Sequence, residues 1–164
     1  MKAIVYLIIL FISVTGFSQE VFLYEVDEYL SMNVPEDAAE GEVSGLTYIQ
    51  GTMGNILFTI YKTDKASNEL AKKADLTKFY EGVKAGTLKA SKGKLINESS
   101  IEIDNEKAAN FSFSMEVDGE PKIVNNYVFF WKKFTYTIQF ISTEAESDDY
   151  KNSVNTIVES IDLK

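Results

Sequence analysis

The side chains available for chemistry are few in this sequence. Its 164 residues include no His and no Cys, and none of its basic residues is an Arg. Mechanisms that pair Ser or Cys with His are therefore excluded, as are zinc sites built from His or Cys. Carboxylates, Lys, Tyr, Ser and Thr remain, and no cofactor-binding motif occurs among them. We expect no cofactor.

Two acidic regions are candidates for a cation. The densest group consists of Glu144, Glu146, Asp148 and Asp149. Oxygen ligands of this kind suit calcium, but the spacing lacks the glycine of a calcium loop. The same residues fall in the first turns of a predicted helix, where carboxylates complement the helix dipole, and this interpretation is the simpler one. The second region, residues 27–42, could bind a cation or a basic partner, or could be a solvated loop.

Catalysis without His has two conceivable forms here. A pair of carboxylates could hydrolyse a glycoside, but nothing in the sequence indicates which two would face each other. Ser91 and Lys94 could form a dyad, although Lys92 and Gly93 between them make a polar turn the simpler interpretation. We therefore predict no catalytic residue and no metal ligand. A carboxylate-dependent hydrolase and a cation-dependent binding module stay open as alternatives.

One aromatic segment could bind a partner. Trp131, Lys132 and Lys133 occupy a predicted turn between two apolar strands. An exposed Trp at a hairpin tip is a common anchor in protein interfaces. Large aromatic side chains more often bury most of their area, so Trp131 could instead close the edge of the core. These three residues are the candidate partner-binding site.

The first 18 residues resemble a cleavable secretory signal. Lys2 precedes an apolar run from Ala3 to Val14, and the small residues Gly16 and Ser18 follow. The run is shorter than the roughly 20 residues that a spanning helix needs. We therefore predict export to the periplasm or the medium, cleavage after Ser18, one domain over residues 19–164 and no membrane span after cleavage.

The remaining chain is acidic. The whole sequence has a net charge of −9, and removing Lys2 with the signal leaves −10. Such a chain repels nucleic acid and anionic lipid. Without cysteines it has no disulfides, although an exported protein could form them. Its fold must be held by its core alone.

Strand patterns dominate residues 19–164. Residues 51–54 and the pair Asp118-Gly119 are predicted turns, and residues 35–41 are a predicted loop. The segment Lys122–Phe130 is apolar on both faces, which indicates a central strand covered on both sides. The predicted strands are Glu28–Val34, Ser44–Gln50, Asn55–Lys62, Lys94–Asp104, Ala108–Val117, Lys122–Phe130 and Phe134–Ser142.

Two helices are predicted among these strands. The first follows Asp75, a plausible N-cap, or starts earlier, near Ser67. The second follows a capping box formed by Thr143 and Glu146. The apolar stripe of the second helix is Tyr150, Val154, Ile157, Val158 and Ile161. We predict an α+β fold, an α/β/α sandwich in which the helices cover opposite faces of a central, mostly antiparallel sheet.

The order of these elements resembles the PsbP-like and Mog1-like superfamily. An early strand ends in Pro over residues 29–35, and a strand leads into residues 104–109. The aromatic segment 134–138 and a closing helix ending in residues 159–161 complete the match. The resemblance implies the same sandwich and a mostly non-catalytic, extracytoplasmic family. No functional residue of the family maps onto this chain. Together these observations predict an exported non-catalytic domain that binds a protein or small ligand through a sheet edge or hairpin tip.

Overall fold

The computed structural model describes residues 21–64 and 75–164, so the predicted signal at residues 1–18 lies outside the described residues. The first half of this part comprises β1 (Val21–Asp27), β2 (Leu30–Pro35), β3 (Ala39–Val43), β4 (Leu46–Met53), β5 (Ile56–Thr63) and α1 (Leu76–Ser91). The second half comprises β6 (Lys94–Ile103), β7 (Glu106–Val117), β8 (Glu120–Trp131), β9 (Phe134–Ser142), α2 (Asp148–Val158) and β10 (Asp162–Leu163).

The strands form two antiparallel sheets. The larger sheet has seven strands in the order β3-β4-β5-β9-β8-β7-β6, and the smaller has three in the order β1-β2-β10. β8 pairs with both β7 and β9, which confirms that the strand with two apolar faces lies inside the sheet. β6 and β3 form the outer edges of the larger sheet.

Alternate side chains of the large sheet feed two separate cores. On one face, Phe111, Phe113, Val124 and Val128 pack with Tyr80 of α1. The opposite face carries a larger core, shared with β2 and α2. Its members include Leu30, Met32, Val34, Phe129, Tyr136, Ile138, Phe140, Val154 and Ile157. The helices therefore cover opposite faces, as the sequence predicts, and the small sheet shares the second face with α2.

The predicted start of α1 is confirmed, and that of α2 is shifted. The Asp75 carboxylate accepts a hydrogen bond from the Thr77 amide at 3.0 Å. In α2 the cap is not the predicted box of Thr143 and Glu146, because the Ser147 hydroxyl accepts from the Tyr150 amide at 3.1 Å. Asp148 and Asp149 lie in the first turn, where the helix dipole favours negative charge.

The turn predicted at residues 51–54 is shorter in the structure. β4 continues to Met53, so only Gly54 and Asn55 connect it to β5. Gly51 is buried in the strand, and a Cβ there would approach Pro35 Cβ to 3.1 Å. The glycine at this position therefore allows two chain segments to pack closely, and it does not form a turn. β3 likewise begins at Ala39, inside the predicted loop, and Ser44 with Gly45 forms the next turn at positive φ.

The predicted fold class is confirmed. The described residues combine two helices with mostly antiparallel strands, and a helix lies near the C-terminal end. β1 and β10 were not predicted. β10 has only two residues, which is too few for a periodic pattern, and the burial of β1 does not alternate cleanly. Neither described helix has the length and apolar character that a membrane crossing requires.

Candidate functional site

A groove opens between α1 and the outer strands β6 and β7. It encloses about 760 Å³ and is lined by residues of these three elements. Ser100 and Ala109 are paired across the two strands, and both line the groove. Their neighbours in the same rows are the longer side chains of Glu98, Phe111 and Lys107. The hollow therefore forms where two small side chains face the helix between larger ones.

Tyr80 fixes the helix beside this groove. Its hydroxyl donates to the Lys107 carbonyl at 2.7 Å and accepts from the Phe130 amide at 3.1 Å. The ladder between β7 and β8 ends at the pair formed by Ala108 and Phe129, so Lys107 and Phe130 would form the next rung. The phenol bridges this rung in place of a direct bond. Burial raises the pKa of Tyr80 above its ordinary value, which keeps the phenol protonated as a donor.

Charged side chains surround the groove. Lys84 of α1 and Glu98 of β6 form an ion pair across it. Glu81, Glu102 and Lys107 also line it, and all three are exposed. Within the described part of the chain, neither Glu81 nor Glu102 forms a salt bridge. The groove is thus lined by three carboxylates and two lysines, so its rim carries uncompensated negative charge.

A second polar cluster, which we call the Asp27 clamp, joins the two sheets. It consists of Asp27, Tyr29, Lys62 and Tyr136. The Asp27 carboxylate accepts hydrogen bonds from Lys62 Nζ at 2.7 Å, the Tyr136 hydroxyl at 2.8 Å and the Tyr29 amide at 2.8 Å. Both of its oxygens are used. Lys62 Nζ also lies 4.5 Å from the centroid of the Phe134 ring, a cation–π contact.

The electrostatics of the Asp27 clamp follow from these bonds. Burial alone would raise the pKa of Asp27, but the hydrogen bonds from Lys62, Tyr29 and Tyr136 outweigh it and hold the pKa below its ordinary value. Burial, followed by the bond to Asp27, raises the pKa of Tyr136 well above its ordinary value. The carboxylate is therefore ionised and the phenol neutral at neutral pH, a pairing that suits structure rather than proton transfer.

The predicted partner-binding residues lie at the turn between β8 and β9. Trp131 is half-buried against the larger core, and its indole Nε1 donates to the Lys164 carbonyl at 3.2 Å. Lys132 and Lys133 are exposed, and Lys132 has a φ of 55°. Lys132 Nζ lies 4.6 Å from the centroid of the Trp131 ring. The tip therefore exposes two cations, while its Trp side chain contributes to the core.

Three other candidates from the sequence have partners within the chain. Glu144 accepts from Asn55 Nδ2 at 2.9 Å, and Glu146 pairs with Lys151 at 3.5 Å. Ser91 does not face Lys94: its hydroxyl donates to the Thr87 carbonyl at 2.8 Å and accepts from the Gly93 amide at 3.1 Å.

Two acidic residues of the region 27–42, Asp37 and Glu40, also accept hydrogen bonds within the chain. The Asp37 carboxylate accepts from both the amide and the hydroxyl of Thr52, and Glu40 accepts from the Tyr24 hydroxyl at 2.6 Å. Among residues 21–64 and 75–164, no three acidic side chains come together as metal ligands would.

The sequence did not point to the groove. Its floor residues, Ser100 and Ala109, are ordinary strand residues, and Glu98 and Glu102 belong to no motif. The available signal was the alternation of Glu98, Ser100 and Glu102, which places two carboxylates and a small side chain on one face of a strand. That alternation indicates a groove only when the strand is known to lie at the edge of the sheet with a helix beside it.

Comparisons with known proteins identify the fold. No protein-family model and no curated sequence matches the chain. The solution structure of cyanobacterial PsbP (CyanoP) from Synechocystis sp. PCC 6803 matches with a TM-score of 0.65 at 12% identity, over 89% of this chain and 94% of that one. A Pseudomonas aeruginosa protein of unknown function, PA94, described as a putative regulator, matches with a TM-score of 0.58 at 10% identity, over 88% and 98%.

A third structure gives a more limited match. It is a Bacteroides thetaiotaomicron protein, which matches with a TM-score of 0.54 at 15% identity, over 83% of this chain and 45% of that one. At such identities the likeness is one of fold. Together with the order of strands and helices described above, it confirms the resemblance found in the sequence: the chain has the fold of the PsbP-like superfamily.

Proposed function

We propose that this chain is a binding domain rather than an enzyme, and that its ligand occupies the groove between α1 and β6. The observation that carries this proposal is the groove itself, with its uncompensated carboxylates. Its volume of about 760 Å³ is typical of ligand sites. Its small floor residues leave room that the protein does not fill with its own side chains.

The arrangement of carboxylates supports binding over hydrolysis. An acid–base pair needs two facing carboxyl groups, with one pKa shifted by its surroundings. Glu81, Glu98 and Glu102 around the groove are all exposed. Asp27 is far more buried, with a side chain 10% exposed, but it lies outside the groove and its oxygens are engaged. The groove thus offers an attractive surface for cations but no matched acid and base.

The hairpin tip is the competing location within this proposal. Lys132 and Lys133 are exposed there, and the sequence predicts that they contact a partner. The tip offers little apolar area, because Trp131 packs against the core. The predicted export signal at residues 1–18 would place either surface outside the cytoplasm, where the proposed ligand would be found.

A capture experiment with matched variants tests the proposal. Ser100→Phe fills the groove, whereas Asn97→Phe places the same ring on the opposite face of the same strand, at a residue that does not line the groove, because side chains alternate along it. Asn97 and Ser100 are both exposed, so each variant should unfold within about 0.5 kcal/mol of the wild type. A third variant, Lys132→Glu combined with Lys133→Glu, reverses the charge of the tip.

Purified protein would be immobilised, exposed to an envelope extract of the producing cells and washed. Bound proteins and small molecules would then be quantified by mass spectrometry. We expect Ser100→Phe to lose the molecules that the wild type retains, by at least about tenfold, and the other two variants to keep them. Loss in the tip variant with retention by Ser100→Phe would move the site to the tip. Equal retention by all variants would refute the groove.

A further inference from the structure

Among the described residues, no strand pairs with the outer backbone edge of β6, which lies beside the groove. β6 is the outermost strand of the seven-stranded sheet, and residues 94–100 are all exposed. An antiparallel edge strand leaves alternate N–H and C=O groups directed away from its neighbour, where another strand can pair with them. This edge runs along the groove, since residues 98–102 line it.

The opposite edge of the sheet is better protected. β3 has only five residues, compared with ten in β6. Two of them are Glu40 and Glu42, and Glu40 is held by the Tyr24 hydroxyl of β1. A short edge strand offers few backbone groups for strand addition. β6 is thus the longer of the two edges and offers more backbone groups to an added strand.

Within β6, the part that can pair regularly is the part beside the groove. The register with β7 shifts between Leu95 and Asn97, which indicates a bulge at Ile96. A bulge interrupts pairing and bends the strand. From Asn97 to Ile103 the register is continuous. An added strand would therefore pair over about seven residues, all of them at the groove end.

The side chains of this segment specify the strand that would fit. Glu98, Ser100 and Glu102 lie on the groove face, paired with Phe111, Ala109 and Lys107. Residues directly opposite one another in antiparallel strands place their side chains in contact. A strand added to β6 would thus set one side chain against Glu98, one over the hollow at Ser100 and one against Glu102. Over five consecutive residues of the added strand, the first and fifth should therefore be basic and the third apolar, while the second and fourth are unrestricted.

We propose that an extended basic segment of another protein adds to β6 as an eighth strand of the sheet; this inference rests on the proposed function of the groove. Its two cationic side chains pair with Glu98 and Glu102, and its central apolar side chain enters the hollow above Ser100 and Ala109. Glu98 is partly compensated by Lys84, so Glu102 contributes more to recognition. The net charge of −9 attracts such a segment over a longer range.

Synthetic peptides provide the test. The probe is fluorescein-labelled Thr-Thr-Lys-Thr-Val-Thr-Lys-Thr-Thr, titrated with the purified protein and followed by fluorescence anisotropy. A matched peptide replaces both lysines with Glu. Two further peptides carry N-methyl groups, one on the Thr residues at alternate positions and the other on the Lys and Val residues. Only one of these two sets of N–H groups can face β6 in an antiparallel ladder.

We expect the lysine peptide to bind at least about tenfold more tightly than its Glu counterpart. One N-methyl peptide should bind as the parent does, and the other should lose at least about tenfold. Glu102→Lys should exchange the preference between the Lys and Glu peptides. Glu116→Lys is the matched control: it is an exposed residue on the neighbouring strand, does not line the groove, and should leave the preference unchanged.

Four outcomes would overturn the inference, the last of them by overturning the proposed function on which it rests. Equal binding of both N-methyl peptides and their parent would mean that charge alone is recognised, as for a small cationic ligand. Self-association of the protein without peptide, abolished by Glu102→Lys, would assign the edge to a second copy of the chain. If no peptide binds while Ser100→Phe still loses captured molecules, strand addition fails and the proposed function stands. If Ser100→Phe captures all that the wild type does, the proposed function itself fails.

Discussion

The Asp27 clamp and the groove show how differently one chain uses its carboxylates. In the clamp, a carboxylate with little exposure receives three hydrogen bonds and joins the small sheet to the large one. In the groove, Glu81 and Glu102 are exposed around a hollow and form no salt bridge within the described residues. A polar group whose bonds are all made inside the protein stabilises the fold. A polar group left uncompensated beside an open volume can bind a ligand.

The largest expected effect comes from opening the clamp. Asp27→Ala removes the acceptor for both Lys62 Nζ and the Tyr136 hydroxyl, and the latter belongs to a fully buried side chain. Leaving such a donor without a partner costs about 2–3 kcal/mol. Urea unfolding followed by Trp131 fluorescence measures it. Glu116→Ala, at an exposed site, should change the free energy of unfolding by less than about 0.5 kcal/mol. Equal effects of the two substitutions would contradict a structural role for the clamp.

A smaller effect is expected at Tyr80, the satisfied polar group beside the groove. Tyr80→Phe leaves the Lys107 carbonyl and the Phe130 amide without their bridge, and should cost about 1–2 kcal/mol. Hydrogen exchange adds a local readout, because the Phe130 amide should exchange faster while amides in the middle of β8 keep their relative protection. An unchanged exchange rate at Phe130 would show that the bridge does not hold that end of the strand.

These contacts were only partly predictable from the sequence. The two helices and the double-faced strand β8 follow from apolar periodicity, which depends on local spacing alone. The sequence predicts a turn at Gly51, because a glycine between strands usually marks a turn. In the structure this glycine instead permits close contact with Pro35. The bridge by Tyr80 and the bonds of Asp27 with Lys62 and Tyr136 join residues 27 to 109 positions apart in the chain. No local pattern encodes such pairings, and the Tyr80 bridge among them lies beside the groove.

The third prediction uses pH to distinguish the contribution of Asp27 to stability from the contributions of other carboxylates. Because the pKa of Asp27 is lowered by folding, the unfolded state binds its proton first as the pH falls. Its contribution to stability is complete above the ordinary pKa, and is lost as the pH falls from about 4 through the lowered value. The difference in unfolding free energy between the wild type and Asp27→Asn should therefore be constant above about pH 5 and shrink below about pH 4. A difference that does not shrink as the pH falls below about 4 would contradict this assignment.

Amide hydrogen exchange at β6, with and without the lysine peptide, tests the central claim most directly. We predict that alternate amides between Asn97 and Ile103 slow by at least about tenfold when the peptide binds, because an antiparallel partner covers every second group. Amides at Lys132 and Lys133 should keep their rates. Unchanged exchange throughout β6 at saturating peptide, or slowing confined to the hairpin tip, would contradict the groove and its edge strand as the binding site.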